Sequence, residues 1–207
     1  MSGEVARHPG LNLGAAHGKA DEAAERLLFG FWVFLMSDAI LFGLVFASYA
    51  ASLHATAGGP GTHALYDIRS VFVETLLLLS SSFTFGMASL ALKYKHSTAR
   101  LIGWLGITLL FGLGFLGLEV HDFISMIAKG GPPTRSGFLS AFFDLVPLHG
   151  LHVTAGCIWL ICMVGQIAVY GIDDGVKLGI LRLALFWHFL DIVWVAIFSV
   201  VYLAGLT

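Results

Sequence analysis

Beyond residue 26 the chain alternates between long apolar runs and short polar, glycine-rich or proline-rich breaks. The runs are Leu27–Leu53, Val71–Leu92, Leu101–Val120, a stretch within Phe138–Tyr170 that is clearest over Leu148–Tyr170, and Leu178–Leu206. About 20 apolar residues in a helix cross the hydrocarbon core of a bilayer, and each run reaches that length. In lipid the backbone has to satisfy its own hydrogen bonds, which a helix does within one segment. The runs are far longer than the roughly 10-residue strands of a membrane barrel. The pattern therefore predicts an all-α polytopic membrane protein, a bundle of five transmembrane helices spanning about 27–53, 71–92, 101–120, 142–170 and 178–206.

The breaks carry turn chemistry. Gly58-Gly59-Pro60-Gly61 marks the first and Gly130-Gly131-Pro132-Pro133 the third. Lys93, Lys95 and Arg100 mark a short polar turn between spans two and three, and Asp173-Asp174-Gly175 the last. Residues 1–26 are a different material, rich in Ala, Gly, His and charge, with no apolar stripe. They are expected to be a mobile tail. They do not resemble a signal peptide, since no short apolar core precedes a cleavage site. Residues 27–207 form the transmembrane domain. Basic residues then set the orientation. Arg7, Lys19, Arg26, Lys93, Lys95, Arg100, Lys177 and Arg182 fall on the tail's side, against Arg69, Lys129 and Arg135 on the other. The positive-inside rule places the N-terminus in the cytoplasm, and five spans place Thr207 on the outer, periplasmic side.

Composition agrees with this pattern. The chain is 57% hydrophobic and 12% charged, where soluble domains are about 45–50% apolar and about 25% charged. A net charge of −2 and the lack of a basic, aromatic-interleaved stripe give no hint of a nucleic-acid partner. Cys157 and Cys162 lie in one apolar run, five residues apart and on different sides of a helix. They are read as small buried hydrophobes and not as a disulfide. No Walker loop, GxSxG, HExxH or CxxC occurs. No pair of spans carries matched histidines to clamp a haem, the methionines are dispersed, and there is no internal repeat of the kind many transporters show.

Ionisable groups at membrane depth are costly and are the natural place to look for function. Asp38 lies mid-span in Met36-Ser37-Asp38-Ala39, as a proton-exchanging carboxyl, a headgroup partner or a link between helices. Glu74 lies just inside span two and is read mainly as a link to a neighbouring helix. His149 and His152, at i and i+3, share a helix face. They could begin a metal site, but the further ligands that zinc or iron requires are scattered, so interhelical hydrogen bonding beside Gly150 is the preferred reading. His188 and Asp191 are likewise i, i+3 neighbours, placed for a His–carboxylate contact that either relays a proton or satisfies two buried polar groups. Trp187 and Trp194, seven apart, suit a helix–helix or subunit contact. Glu119, His121 and Asp122 end the third run and are expected at the outer interface. The serines of span two and Gly103, Gly106, Gly112, Gly114 and Gly117 of span three mark close helix packing. No catalytic, cofactor-binding or metal-binding residue is assigned. From the residues alone, three functions stay open. One is a partner subunit of a larger machine. Another is a proton channel or transporter built on Asp38, Glu74 and Asp191. The third is a metal- or haem-binding membrane enzyme using His149, His152 and His188.

Five successive segments carry a resemblance. They are Phe29-Gly30-Phe31-Trp32-Val33-Phe34-Leu35-Met36-Ser37-Asp38-Ala39-Ile40-Leu41-Phe42, Val73-Glu74-Thr75-Leu76-Leu77-Leu78-Leu79-Ser80-Ser81, Ser136-Gly137-Phe138-Leu139-Ser140-Ala141-Phe142-Phe143, His149-Gly150-Leu151-His152-Val153 and Trp187-His188-Phe189-Leu190-Asp191-Ile192-Val193-Trp194. In this order they resemble subunit III of the haem-copper oxidases, most of all the bo-type ubiquinol oxidases. The resemblance implies a short five-helix form that lacks the first two helices of the long form. It implies a subunit of a proton-pumping respiratory oxidase in the bacterial inner membrane, without a redox centre of its own. Its partners would be the haem- and copper-bearing subunit I, subunit II, a small subunit IV and bound phospholipid. Asp38 falls where the long cytochrome c oxidase forms have the family's carbodiimide-reactive glutamate. The shorter carboxylate and its Met-Ser-Asp context tilt the expected electron donor toward ubiquinol, with a cytochrome c oxidase as the alternative.

Overall fold

A computed structural model describes residues 18–53, 68–94, 97–128, 134 and 136–203, with side chains from residue 26 onward. The expected mobile tail lies outside these residues up to position 17, and the structure is helical from Gly18. The helices are α1 (Gly18–Ser52), α2 (Ile68–Lys93), α3 (Thr98–Ala128), α4 (Gly137–Tyr170) and α5 (Asp174–Ile197), and α5 continues as a π-helical segment over Phe198–Leu203. All five are long and apolar enough to cross a membrane, and no strand occurs among the described residues. At about 1.5 Å per residue, helices of 24 to 35 residues exceed the roughly 30 Å hydrocarbon layer. Their ends therefore reach into the headgroup region.

Several helix ends fall outside the apolar runs, and the reason is local. The third run stops at Val120, yet α3 continues to Ala128. Its last turns keep an apolar face: Met126 is buried, and the Phe123 ring packs 5.6 Å from that of Phe143. The fourth helix begins at Gly137, where Ser136 caps it by accepting the Leu139 N–H at 3.2 Å. It runs through Pro147, whose missing N–H leaves the Phe143 carbonyl without its helical donor. Asp173 caps α5 in the same way, accepting the Val176 N–H at 2.7 Å. Between them Gly171, with φ +76°, ends α4, its N–H returning to the Ile167 carbonyl. Only glycine enters that left-handed region without cost.

Helix α5 is the hub, packing on α1, α2 and α4, while α2 and α3 form a close antiparallel pair and α4 fills the space beside α3. Helix α1 leans chiefly on α4 and α5 and presents most of its surface outward, including Phe29, Ile40 and Leu44. Gly112-Leu113-Gly114-Phe115-Leu116-Gly117 has the spacing of a dinucleotide-binding fingerprint. It lies in the middle of α3, without the strand-to-helix turn which that chemistry needs. Its first glycine has a packing role. A Cβ on Gly112 would lie 3.0 Å from the Trp187 ring, and one on Gly156 would lie 3.2 Å from the same indole. Trp187 is thus wedged between α3 and α4 at two glycines.

Candidate functional site

The polar side chains of the bundle gather in three places. The first joins α1 to α4. His152 Nε2 lies 3.8 Å from Asp38 Oδ2, with both side chains mostly buried. His152 Nδ1 lies 2.7 Å from the Leu148 carbonyl, which can only accept, so Nδ1 carries a proton. A neutral ring then has no proton left on Nε2. The contact with Asp38 is attractive only when a second proton is held by the imidazole or the carboxyl. Asp38, a candidate from the sequence, therefore acquires a partner more than a hundred residues away. His149 and His152 do share a face, since both rings meet Phe42, but only His152 reaches Asp38.

The second group is a seam of hydroxyls on α2 read by α5. The Trp187 indole N–H donates to Ser81 at 3.0 Å and that of Trp194 to Thr75 at 3.1 Å. Ser81 and Thr75 pass their own protons to the carbonyls of Leu78 and Val71. His188 Nδ1 lies 2.7 Å from the Ser82 hydroxyl, which also sits beside the Asp191 carboxyl. The sequence suggested a direct His188–Asp191 contact. The structure joins the two through Ser82 of α2, because the i, i+3 faces of both residues turn toward that helix. Both tryptophans are buried within this chain, at 2% and 0% exposure. Of the two contacts the sequence admitted for them, the one observed is between helices of the chain. Ser81 and Ser82 are residues sequence reasoning passed over as small packing groups, and Thr75 is one it did not single out. The signal was present in their polar character at mid-span.

The third group sits between α2, α3 and α4. Glu74, Glu119 and His149 are 2%, 4% and 0% exposed. Glu119 was expected at the outer interface, at the end of span three. Because α3 runs on to Ala128, it lies about 13 Å inside the helix end, its carboxylate against the backbone of Gly150. His149 is enclosed by the rings of Phe42, Phe115 and Trp194, at 6.4, 5.8 and 5.2 Å. Asp122 remains partly exposed one turn further along α3, beside His121 at 3.4 Å. Among the described residues no group of three or more His, Cys, Asp or Glu side chains is arranged to hold a metal ion.

Fold and site together define a helical membrane protein with acids and histidines set between its helices. The comparisons give its family. The profile of cytochrome c oxidase subunit III matches residues 12–206. The chain is 46% identical over 193 residues to cytochrome bo(3) ubiquinol oxidase subunit 3 of Pseudomonas aeruginosa, covering 93% of this chain and 92% of that one. It is 49% identical to the protein of the same name from Pseudomonas putida, covering 89% and 88%. It is also 41% identical to cytochrome c oxidase subunit 3 of a Bacillus species, covering 86% and 85%. The chain belongs to the cytochrome c oxidase subunit III family, and so to the subunits of respiratory terminal oxidases.

Proposed function

We propose that this chain is subunit III of a proton-pumping terminal oxidase that passes electrons from ubiquinol to oxygen. In this reading it carries no redox centre. It stabilises subunit I, which holds the haem and copper, and stands with subunit II and a small subunit IV in the bacterial inner membrane. Its N-terminus is cytoplasmic, as the distribution of basic residues favours. Its outward apolar surface, above all that of α1, is covered by partner subunits and by bound phospholipid. The observation that carries the reading is the similarity, over about nine-tenths of both chains, to subunits named for ubiquinol oxidation. A cytochrome c oxidase is the second reading, favoured by the 41% identity to a subunit with that name.

Purification through a tag on this chain, from its native membrane in mild detergent, tests both readings. Co-purification of a large histidine-rich subunit with b- and o-type haem signals, and oxidation of duroquinol by the sample, is the expected result. Oxidation of reduced cytochrome c in place of quinol would select the second reading. A colourless protein stable without partners would overturn both and turn attention to proton flux through Asp38 variants.

A further inference from the structure

Glu74 Oε1, Glu119 Oε1 and both ring nitrogens of His149 are buried and have no hydrogen-bond partner. These groups come from three different helices. Their neighbours interlock: Asp122 and Glu119 both act electrostatically on Glu74. Phe115, one turn before Glu119, and Trp194, bonded to Thr75 beside Glu74, both face His149. Such groups are rarely left unsatisfied, and where they occur an unseen water or ion is a usual cause.

The chemistry narrows the occupant. A carboxylate only accepts, and a protonated carboxyl donates from one oxygen alone, so in either state each side chain keeps an accepting oxygen, and one water with two hydrogens can bridge two of them. At exposures of 4% or less for all three side chains, neither a partner subunit's side chain nor a lipid headgroup has access. The donors do not converge as a metal site among the described residues. Gly150 supplies the room: a methyl there would lie 2.7 Å from Glu119 Oε1, so the glycine leaves the carboxyl its place.

We propose that Glu74, Glu119 and His149 line an internal water-binding site between α2, α3 and α4. In it ordered water donates to the two carboxyls and bridges them to the imidazole. Asp122, with a quarter of its side chain exposed, connects the site to the surface at the α3 C-terminal end. The water ties three helices together where no direct side-chain bond does so, and it makes their carboxyls exchangeable with the medium.

The test uses the chain purified from its native membrane with whatever subunits accompany it. Cryo-electron microscopy at a resolution that shows ordered water is expected to place density at about 2.7–3.2 Å from Glu119 Oε1 and from Glu74 Oε1 or a His149 nitrogen. A site without such density, or one filled by a metal or a neighbouring side chain, overturns the proposal. Infrared spectra give an independent reading. The carboxyl bands lost in Glu74→Gln and Glu119→Gln are expected to shift within minutes of transfer to D2O, and bands that stay unshifted for hours would count against the site. The unsubstituted protein alone decides the first measurement, so a variant that fails to fold leaves the question answerable.

Discussion

The Trp194 indole N–H donates to the Thr75 hydroxyl at 3.1 Å, and that hydroxyl donates in turn to the Val71 carbonyl at 2.8 Å. With Trp194 and Thr75 both buried, this two-step bond fixes the rotation of α5 against α2. Removing the two partners is not equivalent. Thr75→Val strands an N–H in an apolar site, at about 1–3 kcal/mol. Trp194→Phe leaves Thr75 bonded to its own helix, so its cost comes from lost volume against Phe115, whose ring is 4.7 Å away. Thermal unfolding of the detergent-solubilised complex is expected to show a lowered midpoint for both. In the Thr75→Val, Trp194→Phe double variant the losses are expected to be less than additive, and full additivity would mean the bond contributes nothing.

Glycine packing makes a second, sterically sharper prediction. A methyl on Gly156 would press on the Trp187 ring, with the nearest ring atom 3.2 Å away, tighter than ordinary van der Waals contact, whereas nothing lies within 4 Å of one on Gly86. Gly156→Ala is expected to cost about 1–3 kcal/mol through overpacking. Gly86→Ala is expected to stay within about 0.5 kcal/mol, unless a partner subunit packs there. Parallel unfolding of the two variants checks the contrast, and equal midpoints would contradict the wedge.

Much of this architecture could be read before any coordinates. All five helices follow from apolar run length alone, since lipid leaves the backbone few alternatives. The positions of buried and partly buried polar groups followed too, because Asp38, Glu74, His149 and Asp191 interrupt apolar sequence. What the sequence did not disclose is who meets whom. Residues i and i+3 share a face, which is why His149 and His152 both touch Phe42. The direction of that face depends on helix packing, and this puts Ser82 between His188 and Asp191 and sends His152 to Asp38. Helix ends were also short of the mark. The apolar run ends at Val120, whereas Glu119 through Ala128 keep a helix with one packed face.

Ser82 offers a third prediction. Its hydroxyl joins His188 and Asp191, so Ser82→Ala removes the shared partner of two half-buried groups. The expected loss is about 1–3 kcal/mol, with most of it restored by Ser82→Thr, which keeps the hydroxyl. A Thr variant as unstable as the Ala variant would indicate that side-chain size, and not the hydrogen bond, is what α5 requires at this position.

Asp38 and His152 supply the last prediction, because their contact depends on a proton. The Leu148 carbonyl holds one proton on Nδ1, and attraction across the 3.8 Å gap to Asp38 requires another. Asp38→Asn keeps the shape and replaces the carboxylate oxygen with an amide that can also donate. It is expected to cost about 1 kcal/mol or less, in line with a loosely spaced ion pair that keeps some solvent access. His152→Leu differs, since it leaves a buried carboxyl facing an apolar side chain, and the larger loss of stability is expected there. Chemical labelling reads the same site without unfolding it. A hydrophobic carbodiimide reacts with a carboxyl within the membrane, so incorporation into this subunit is expected in the unsubstituted complex and is expected to fall to background in Asp38→Asn. Labelling that persists in Asp38→Asn would move the reactive carboxyl elsewhere, with Asp191 of α5, also incompletely buried, the first position to replace.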